Sequence, residues 1–242
     1  MERANAYVTG ADRGLGLGLV RVLLEKGYKV YAGSFLPHWP ELGGLQRECG
    51  GKDNLVIVPL DVTSRASADE AAETIQADTD SLNLLINNAG LASDRSGTIL
   101  EAQYEEDILQ LFDINTLGPL RVTQSVIELL LNARSKTLVN ISSVAGSVSL
   151  VTRMNQFGYT MSKSALNMQS KIIHNHLKDQ GLKVLAIHPG WMRTHLFGDI
   201  GRMKDAPFES IQSARNIVAL IESRTEINED IYMDHEGNPL PW

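Results

Sequence analysis

A glycine-rich turn near the start of the chain constrains the fold more than any other feature. Residues 4–9 form an apolar run typical of a short buried strand, and residues 16–26 show the spacing of an amphipathic helix. The turn between them, TGADRGLG at residues 9–16, carries glycines at positions 10, 14 and 16. A strand, such a turn and a helix in direct succession allow dinucleotide phosphates to approach the backbone at a helix N-terminus. The turn therefore predicts an α/β nucleotide-binding fold, the alternative being a glycine-rich β-turn without a ligand.

Hydrophobic runs alternate with helical patterns along the remaining chain. Apolar runs predict strands at residues 4–9, 29–32, 55–59, 82–87, 137–142, 184–188 and 230–233. Helical patterns cover residues 16–26, 64–78, 104–132, 157–180 and 207–223. This alternation predicts a Rossmann-type, doubly wound α/β fold with about seven parallel strands and helices on both faces. Because no repeat or linker divides the chain, residues 1–242 are predicted to form a single domain.

The bulk composition narrows the classes of partner and compartment. With 43% hydrophobic and 21% charged residues, the chain has the composition of a folded soluble protein. The net charge is −7 and the basic residues are scattered, which argues against nucleic acid or an anionic membrane as the main partner. The single cysteine, Cys49, excludes an intrachain disulfide. The chain shows no signal peptide, no apolar run near the ~18 residues of a membrane span and no metal motif, so we expect a cytoplasmic protein without a metal.

Three side chains form a candidate proton-transfer site. Lys163 follows Tyr159 by four residues, and Ser143 lies sixteen residues before the tyrosine. A free tyrosine keeps its proton until pH ~10, and a lysine one helical turn away is expected to lower that pKa. A serine hydroxyl can donate a hydrogen bond to a carbonyl oxygen as it gains charge. The alternative for Ser143 is that it only caps the end of a strand.

Five motifs in a fixed order carry a family resemblance. They are TGADRGLG at residues 9–16, NNAG at residues 87–90, Asn115 within DINTLGP, YTMSK at residues 159–163, and Pro189-Gly190 followed by Thr194. In this order they resemble the short-chain dehydrogenase/reductase family over nearly the whole chain. Residues 159–168, residues 188–191 and the segment GNPLPW at residues 237–242 further resemble its C-factor-like and sniffer-like carbonyl reductases.

The resemblance implies an NADP(H)-dependent oxidoreductase that transfers a hydride between nicotinamide and a carbonyl or alcohol substrate. Tyr159 is then the acid/base, Lys163 lowers its pKa and holds the nicotinamide ribose, and Ser143 orients the carbonyl. Asn115 is implied to support a water that joins Lys163 to solvent. For Asn115 the alternative is a helix-kinking or buried hydrogen-bonding asparagine. The alternative function is a nucleotide-binding regulatory or signalling protein of the same fold that acts through a protein partner.

The resemblance assigns the cofactor to residues that follow the strands. The residues implied are Gly10, Asp12, Arg13, Gly14, Leu15, Gly16, Ser34, Asp61, Val62, Asn88, Ala89, Gly90, Tyr159, Lys163, Pro189, Gly190, Met192 and Thr194. Asp61 and Val62 match the pair beside the adenine, although Asp61 equally fits a helix cap. Thr194 matches the residue that binds the carboxamide or a phosphate.

The choice between NADP and NAD depends on the end of the second strand. An NAD enzyme generally carries an acidic residue there, whereas this chain has Ser34, and Arg13 is placed to meet a 2′-phosphate. Both features favour NADP over NAD. Two residues depart from the NADP pattern. Asp12 brings negative charge close to the expected phosphate, and Phe35 stands where many NADP-dependent relatives carry arginine. Ser34→Asp is expected to shift the preference towards NAD.

The C-terminal half indicates a substrate lid and an interface. Residues 191–207 form the predicted lid, and its side chains suit a small or medium hydrophobic carbonyl compound. The apolar wall expected there consists of Trp191, Met192, Leu196 and Phe197, the alternative being that they pack on the core or a neighbouring subunit. By resemblance to the family's paired-helix interface, residues 104–132 and 157–180 predict a homodimer or homotetramer. Their apolar positions include Leu111, Ile127, Leu166 and Ile173. The sequence assigns no role to His195 or Trp242.

Overall fold

Nine strands form in the computed structural model, which describes residues 3–93, 95, 97–198 and 203–242. They are β1 (Asn5–Val8), β2 (Lys29–Ser34), β3 (Leu55–Pro59), β4 (Leu84–Asn87), β5 (Lys136–Ile141), β6 (Leu182–His188), β7 (Met192–Arg193), β8 (Phe208–Glu209) and β9 (Tyr232–Asp234). Seven of them form one parallel sheet in the order β3-β2-β1-β4-β5-β6-β9. These are the seven strands predicted from the sequence.

Seven α-helices within the described ranges connect the strands. They are α1 (Gly14–Glu25), α2 (Pro40–Glu48), α3 (Arg65–Gln76), α4 (Glu105–Phe112), α5 (Gly118–Asn132), α6 (Phe157–Leu177) and α7 (Ser210–Ser223). The sequence did not predict α2, because its residues PELGGLQRE contain two adjacent glycines that weaken a helical pattern. The predicted helix 104–132 is continuous but contains a π-helical turn at Asp113–Leu117 between α4 and α5.

Helices cover both faces of the sheet, as the doubly wound prediction requires. On one face, Leu19 and Leu23 of α1 and Ile217 of α7 pack in one buried apolar cluster. On the other face, Ile75 of α3 and Leu130 of α5 belong to a second cluster. The core is therefore divided by the sheet, and the central strands are apolar on both sides.

The strand register brings the carboxyl ends of the central strands to one edge. Val8 pairs with Ile86, Ile86 with Val139, and Ile141 with Ile187. The strand order reverses at β1, which lies between β2 and β4. Ligands of open α/β sheets bind beyond the carboxyl ends of the strands at such a switch point. The loops after β1, β4, β5 and β6 therefore meet where a nucleotide is expected.

The predicted lid begins with one strand of a small two-stranded sheet and is followed directly by the other strand. Met192 of β7 pairs with Phe208 of β8, and Arg193 pairs with Glu209. Of the predicted lid, residues 199–202 lie outside the described residues. The Ala92 amide donates to the Leu196 carbonyl at 2.9 Å, so the described part of the lid is tied to the loop after β4.

Two searches of the described residues bear on membranes and metals. No helix among them has the length and apolar character needed to cross a membrane. No group of three or more histidine, cysteine, aspartate or glutamate side chains in the described ranges is placed to hold a metal ion.

Candidate active site

A cavity of about 1070 Å³ opens at the carboxyl edge of the sheet. It is lined by the glycine turn, the loops after β3, β4, β5 and β6, the start of α6 and the described part of the lid. Of the site residues expected from the sequence, all line this cavity except Ser34 and Asn115. The motifs that are far apart in the sequence therefore meet in one space.

The glycine turn leaves room for phosphates at the N-terminus of α1. Gly10 and Gly14 adopt φ values of 61° and 56°, which favour glycine. A Cβ on Gly16 would lie 2.0 Å from the Gly10 carbonyl oxygen, so only glycine fits at position 16. The N-cap residue Arg13 provides no side-chain cap. The first amides of α1 can therefore bind an anionic pyrophosphate, and the turn fits a dinucleotide.

The NNAG segment braces the glycine turn against β4. The Asn88 and Ala89 amides both donate to the Thr9 hydroxyl at 3.0 Å. The Asn88 side-chain amide donates to the Thr9 and Gly10 carbonyls at 2.9 and 3.0 Å. Asn88 thus fixes the turn rather than presenting its amide to a ligand, and Thr9 is a support that the sequence analysis did not single out.

Asp61 shapes the loop after β3. Its Oδ1 accepts bonds from the Thr63 amide at 2.9 Å and the Thr63 hydroxyl at 2.7 Å. The N-cap of α3 is Ser64, whose hydroxyl accepts from the Ser67 amide at 3.2 Å. Ser64, and not Asp61, is therefore the N-cap residue of α3. Asp61 and Val62 both line the cavity.

Asp12 and Ser34 bond to each other. The Ser34 hydroxyl donates to Asp12 Oδ1, while the Phe35 and Leu36 amides donate to Asp12 at 3.0 and 3.2 Å. Three donors thus surround the Asp12 carboxylate, which reduces its repulsion of a nearby phosphate. Ser34 is buried and does not line the cavity.

Arg13 lies at the cavity wall in a small aromatic cluster. Its guanidinium carbon is 4.7 Å from the centre of the Trp39 ring, within cation–π range. Trp39 also contacts His195 of the lid edge-on, with ring centres 5.4 Å apart. Trp39 precedes α2, the helix that the sequence did not predict. The cluster places Arg13 between the glycine turn and the lid, and gives His195 a structural contact.

Ser143 and Tyr159 are hydrogen-bonded partners in the cavity wall. Ser143 is the N-cap of a short 3-10 helix and accepts a bond from the Ala145 amide at 3.1 Å. Burial raises the pKa of Tyr159, against a lowering by the hydrogen bond with Ser143 and by the positive charge of Arg153. This net direction is opposite to the one expected from the sequence, because desolvation outweighs the charges around the phenol.

Lys163 is buried close to the tyrosine. Its Nζ donates to the Ile141 carbonyl at 2.8 Å and lies 5.9 Å from the centre of the Tyr159 ring. The side chain is only 4% exposed, and burial lowers the pKa of Lys163 to about 8. The ammonium is therefore easier to deprotonate than that of a surface lysine.

Replacing Lys163 with methionine is expected to stabilise the folded chain at pH 7. The pKa of Lys163 falls from 10.5 in the unfolded chain to about 8 in the folded chain. Below pH 8, burying the charged ammonium therefore lowers the free energy of unfolding by roughly 3 kcal/mol. The variant also loses the hydrogen bond to the Ile141 carbonyl, which offsets ~1–2 kcal/mol of the stability gained by removing the buried charge. A net gain of ~1–2 kcal/mol should raise the melting temperature by about 2–8 °C.

The gain should depend on pH. Between pH 8 and 10.5 the unfolded chain binds the extra proton, so the stability of the wild type rises with pH and the advantage of Lys163→Met shrinks. Calorimetry at pH 7 and pH 10 measures both effects, with Lys52→Met at an exposed position as the matched control. A lower melting temperature at pH 7, or an advantage independent of pH, would contradict this prediction.

Asn115 lies fully buried in the π-helical turn beside the lysine. Its side-chain amide donates to the Leu91 carbonyl at 2.9 Å and the Ser162 hydroxyl at 3.1 Å, and its Oδ1 accepts from the Leu91 amide at 2.9 Å. A Cβ on Gly90 would lie 3.2 Å from Asn115 Oδ1 and 3.7 Å from Lys163 Nζ. Asn115 is thus a buried hydrogen-bonding residue next to Lys163.

The C-terminal segment supports the serine loop from behind. Trp242 stacks on Tyr232 with ring centres 5.1 Å apart, and the Tyr232 hydroxyl donates to the Ser143 carbonyl at 2.7 Å. The Ser149 amide donates to the main-chain oxygen of Trp242 at 3.0 Å. These contacts give Trp242 a structural role that the sequence did not reveal.

Several side chains beyond the expected catalytic and cofactor residues line the cavity. They include Phe35, Gln110, Val144, Arg153, Gln156, His188 and Met203, together with Trp191, Leu196 and Phe197 of the expected apolar wall. Burial lowers the pKa of His188 to about 4, with the charge of His235 acting in the same direction and that of Asp234 against it. His188 is therefore a neutral imidazole at pH 7. Two features of the sequence could have indicated these residues: His188 ends a strand at the carboxyl edge of the sheet, and Arg153 lies in the loop before α6.

Comparisons with known proteins agree with the motif order. A family model described as short chain dehydrogenase matches residues 4–205. The NADPH-bound carbonyl reductase from chicken fatty liver is 30% identical, with full coverage of both chains and a TM-score of 0.85. The carbonyl reductase Sniffer of D. melanogaster is 26% identical, with full coverage of both chains and a TM-score of 0.88. C-signal of Myxococcus xanthus is 30% identical over 66% of this chain and 93% of its own length. The chain therefore belongs to the short-chain dehydrogenase family and is an oxidoreductase whose relatives include C-signal and sniffer-like carbonyl reductases.

Proposed function

We propose that the chain is an NADP(H)-dependent carbonyl reductase or alcohol dehydrogenase in which Tyr159 is the acid/base. The main support is that Ser143, Tyr159 and Lys163 line the same cavity as the glycine turn and Arg13. A carbonyl group and a dinucleotide thus have adjacent places in one space of about 1070 Å³. Further support comes from the chicken carbonyl reductase, whose described ligand is NADPH.

The protein groups have separate tasks in the proposed reduction. NADPH, when bound, supplies a hydride to the carbonyl carbon. The electron pair of the C=O double bond then moves to oxygen, which takes the Tyr159 proton to give an alcohol. Ser143 donates a hydrogen bond to the same oxygen and stabilises its developing charge. Lys163 binds the nicotinamide ribose hydroxyls and provides positive charge near the phenolate. Proton return through a water that Asn115 supports between Lys163 and solvent completes the proposed cycle.

NADP is the cofactor that the charges favour. Arg13 provides a guanidinium at the wall of the cavity, and Trp39 holds it in place. The carboxylate of Asp12 is already surrounded by the Ser34 hydroxyl and by two main-chain amides. A 2′-phosphate would therefore meet a positive group, whereas NAD would leave that group without a partner.

The substrate end of the cavity favours an apolar carbonyl compound. Val144, Trp191, Leu196 and Phe197 contribute apolar surface to the cavity that Tyr159 also lines. We also propose that residues 1–242 form one domain and that residues 191–207 form its substrate lid. The cytoplasmic location stays a prediction from the sequence.

The alternative is a regulatory protein that binds the nucleotide and acts through a partner. C-signal, a relative by sequence, bears a name that suggests signalling. The presence of Ser143, Tyr159 and Lys163 in one cavity favours catalysis, because binding alone needs no proton donor. NADPH oxidation, followed at 340 nm with a panel of aldehydes, ketones and quinones, separates the two functions. Turnover of at least one compound supports the reductase, and NADPH binding without turnover supports the alternative.

We also propose that the chain self-associates through the long helix that contains α4 and α5 and through α6, the two helices that the sequence predicts as an interface. Leu111 and Leu166, cited from the sequence, are buried within the monomer. Other apolar side chains on these helices are exposed, with Leu109 at 69%, Met168 at 64% and Ile172 at 59%. Light scattering at micromolar concentration is expected to give a mass of a dimer or tetramer, which Met168→Lys with Ile172→Lys should reduce. A mass near 26.6 kDa for the wild type would contradict the prediction.

A further inference from the structure

The loop between the 3-10 helix Val144–Gly146 and α6 brings a charged side chain to the substrate end of the cavity. Its first part is fixed by Ser147, whose hydroxyl donates to the Pro241 carbonyl at 2.6 Å. Its last residue, Gln156, is the N-cap of α6 with φ 63°, the one non-glycine residue with positive φ among those described. Such a conformation is uncommon outside glycine, so the surrounding contacts determine it. Arg153 lies between these two ends, in the exposed part of the loop.

Arg153 faces the cavity together with the proton donor. Arg153, Gln156, Ser143 and Tyr159 all line it. Arg153 Nη1 donates to Gln156 Oε1, which orients the guanidinium. A guanidinium carries five N–H donors in a planar fork, more than one amide oxygen can accept. The positive charge of Arg153 also acts on the phenol of Tyr159. It lowers the pKa of Tyr159, after the larger effects of burial and of the hydrogen bond with Ser143.

The charges around the cavity are unevenly distributed. Among the described lining residues, the only carboxylates are Asp12 and Asp61, in the loops after β1 and β3. Asp12 is bonded to the end of β2, and Asp61 to Thr63. The described substrate end thus combines a guanidinium with an apolar wall. A ligand with an apolar body and one negative group would satisfy both.

We propose that Arg153 binds a carboxylate of the substrate, so that the preferred substrates are oxo acids with an apolar body. This assignment rests on the proposed function, because it places the carboxylate relative to a carbonyl held by Tyr159 and Ser143. A planar guanidinium pairs with a carboxylate through two parallel hydrogen bonds, which fixes orientation as well as position. Arg153 is then a specificity-determining residue, and Gln156 is a positioning residue for it.

Two matched aldehydes test the assignment. 4-Formylbenzoate and methyl 4-formylbenzoate share the ring and the reacting carbonyl, and differ in the charge of the distal group. Arg153→Gln should lower kcat/KM for the acid about tenfold, mainly through KM, and change that for the ester less than about twofold. Arg153→Lys should retain an intermediate preference. Arg134→Gln, an exposed position before β5 at the opposite edge of the sheet, should change neither.

The outcomes separate this assignment from the proposed function. If Arg153→Gln lowers kcat/KM equally for both aldehydes, the residue affects only Tyr159 and the carboxylate site is overturned. An unchanged kcat/KM for the acid would overturn the site as well. Calorimetric titration with the product 4-(hydroxymethyl)benzoate in the presence of NADP⁺ gives a readout without turnover. Turnover of neither aldehyde nor of any compound of the panel, with binding of this alcohol that depends on Arg153, would overturn the proposed function and support the site. Equal binding to wild type and Arg153→Gln would overturn the site.

Discussion

Tyr159→Phe is expected to lower turnover of a carbonyl substrate at least ~100-fold, while the affinity for NADPH stays nearly unchanged. The substitution keeps the ring, whose centre lies 5.9 Å from Lys163 Nζ, and removes only the hydroxyl. Without that hydroxyl the carbonyl oxygen loses its proton donor, and the Ser143 hydroxyl loses its bond to the phenol. Steady-state rates give the loss in turnover, and titration of protein fluorescence with NADPH gives the affinity.

Tyr28→Phe is the matched control for this experiment. Tyr28 lies before β2 at the opposite edge of the sheet, and it does not line the cavity. The control should keep both turnover and affinity. Near-normal turnover in Tyr159→Phe with the same substrate would show that another group donates the proton, and would contradict the assigned role.

Arg13→Ala is expected to weaken NADPH binding about 10- to 100-fold and to leave NADH binding nearly unchanged. A guanidinium bonded to the 2′-phosphate forms charge-assisted hydrogen bonds worth ~1.5–3 kcal/mol, which corresponds to that range. NADH lacks this phosphate and gains little from Arg13. Calorimetric titration of wild type and variant with both cofactors measures the two changes.

Trp39 provides a second variant for the same question. Because the Arg13 guanidinium stacks on its ring, Trp39→Phe should keep most of the NADPH preference and Trp39→Ala should lose part of it. Equal losses for NADPH and NADH in Arg13→Ala would mean that Arg13 only shapes the glycine turn. Ser34→Asp is no longer a suitable test, because the structure places the Ser34 hydroxyl against Asp12 and a second carboxylate there would repel the first.

Most of the fold follows from local patterns. The seven strands of the main sheet are short apolar runs, and burial on both faces explains why these runs carry few polar residues. α2 was missed because Gly43 and Gly44 hide its pattern. The π-helical turn at Asp113–Leu117 is a single turn within a long helix, too short to produce a periodic signal of its own. Strands β7 and β8 have two residues each, too few to produce a periodic signal.

The site was predictable where motifs follow parallel strands, and unpredictable where tertiary packing decides. Ser143, Tyr159 and Lys163 meet because β5 and the start of α6 share one edge of the sheet. The direction of the Tyr159 pKa depends on how deeply the phenol is buried, which spacing in the sequence cannot reveal. Trp39 and Arg153 lie outside any motif, and their importance comes from contacts across the cavity.

Transfer of deuterium from labelled NADPH tests the central claim most directly. Wild-type protein is incubated in a single turnover with NADPH deuterated at the transferring C4 position and with a carbonyl compound selected from the panel, and the product is analysed by mass spectrometry. We expect an alcohol with one deuterium on the former carbonyl carbon, and at least ~100-fold slower formation in Tyr159→Phe. Tight NADPH binding without deuterated alcohol from any compound of the panel would contradict the reductase and favour the regulatory alternative.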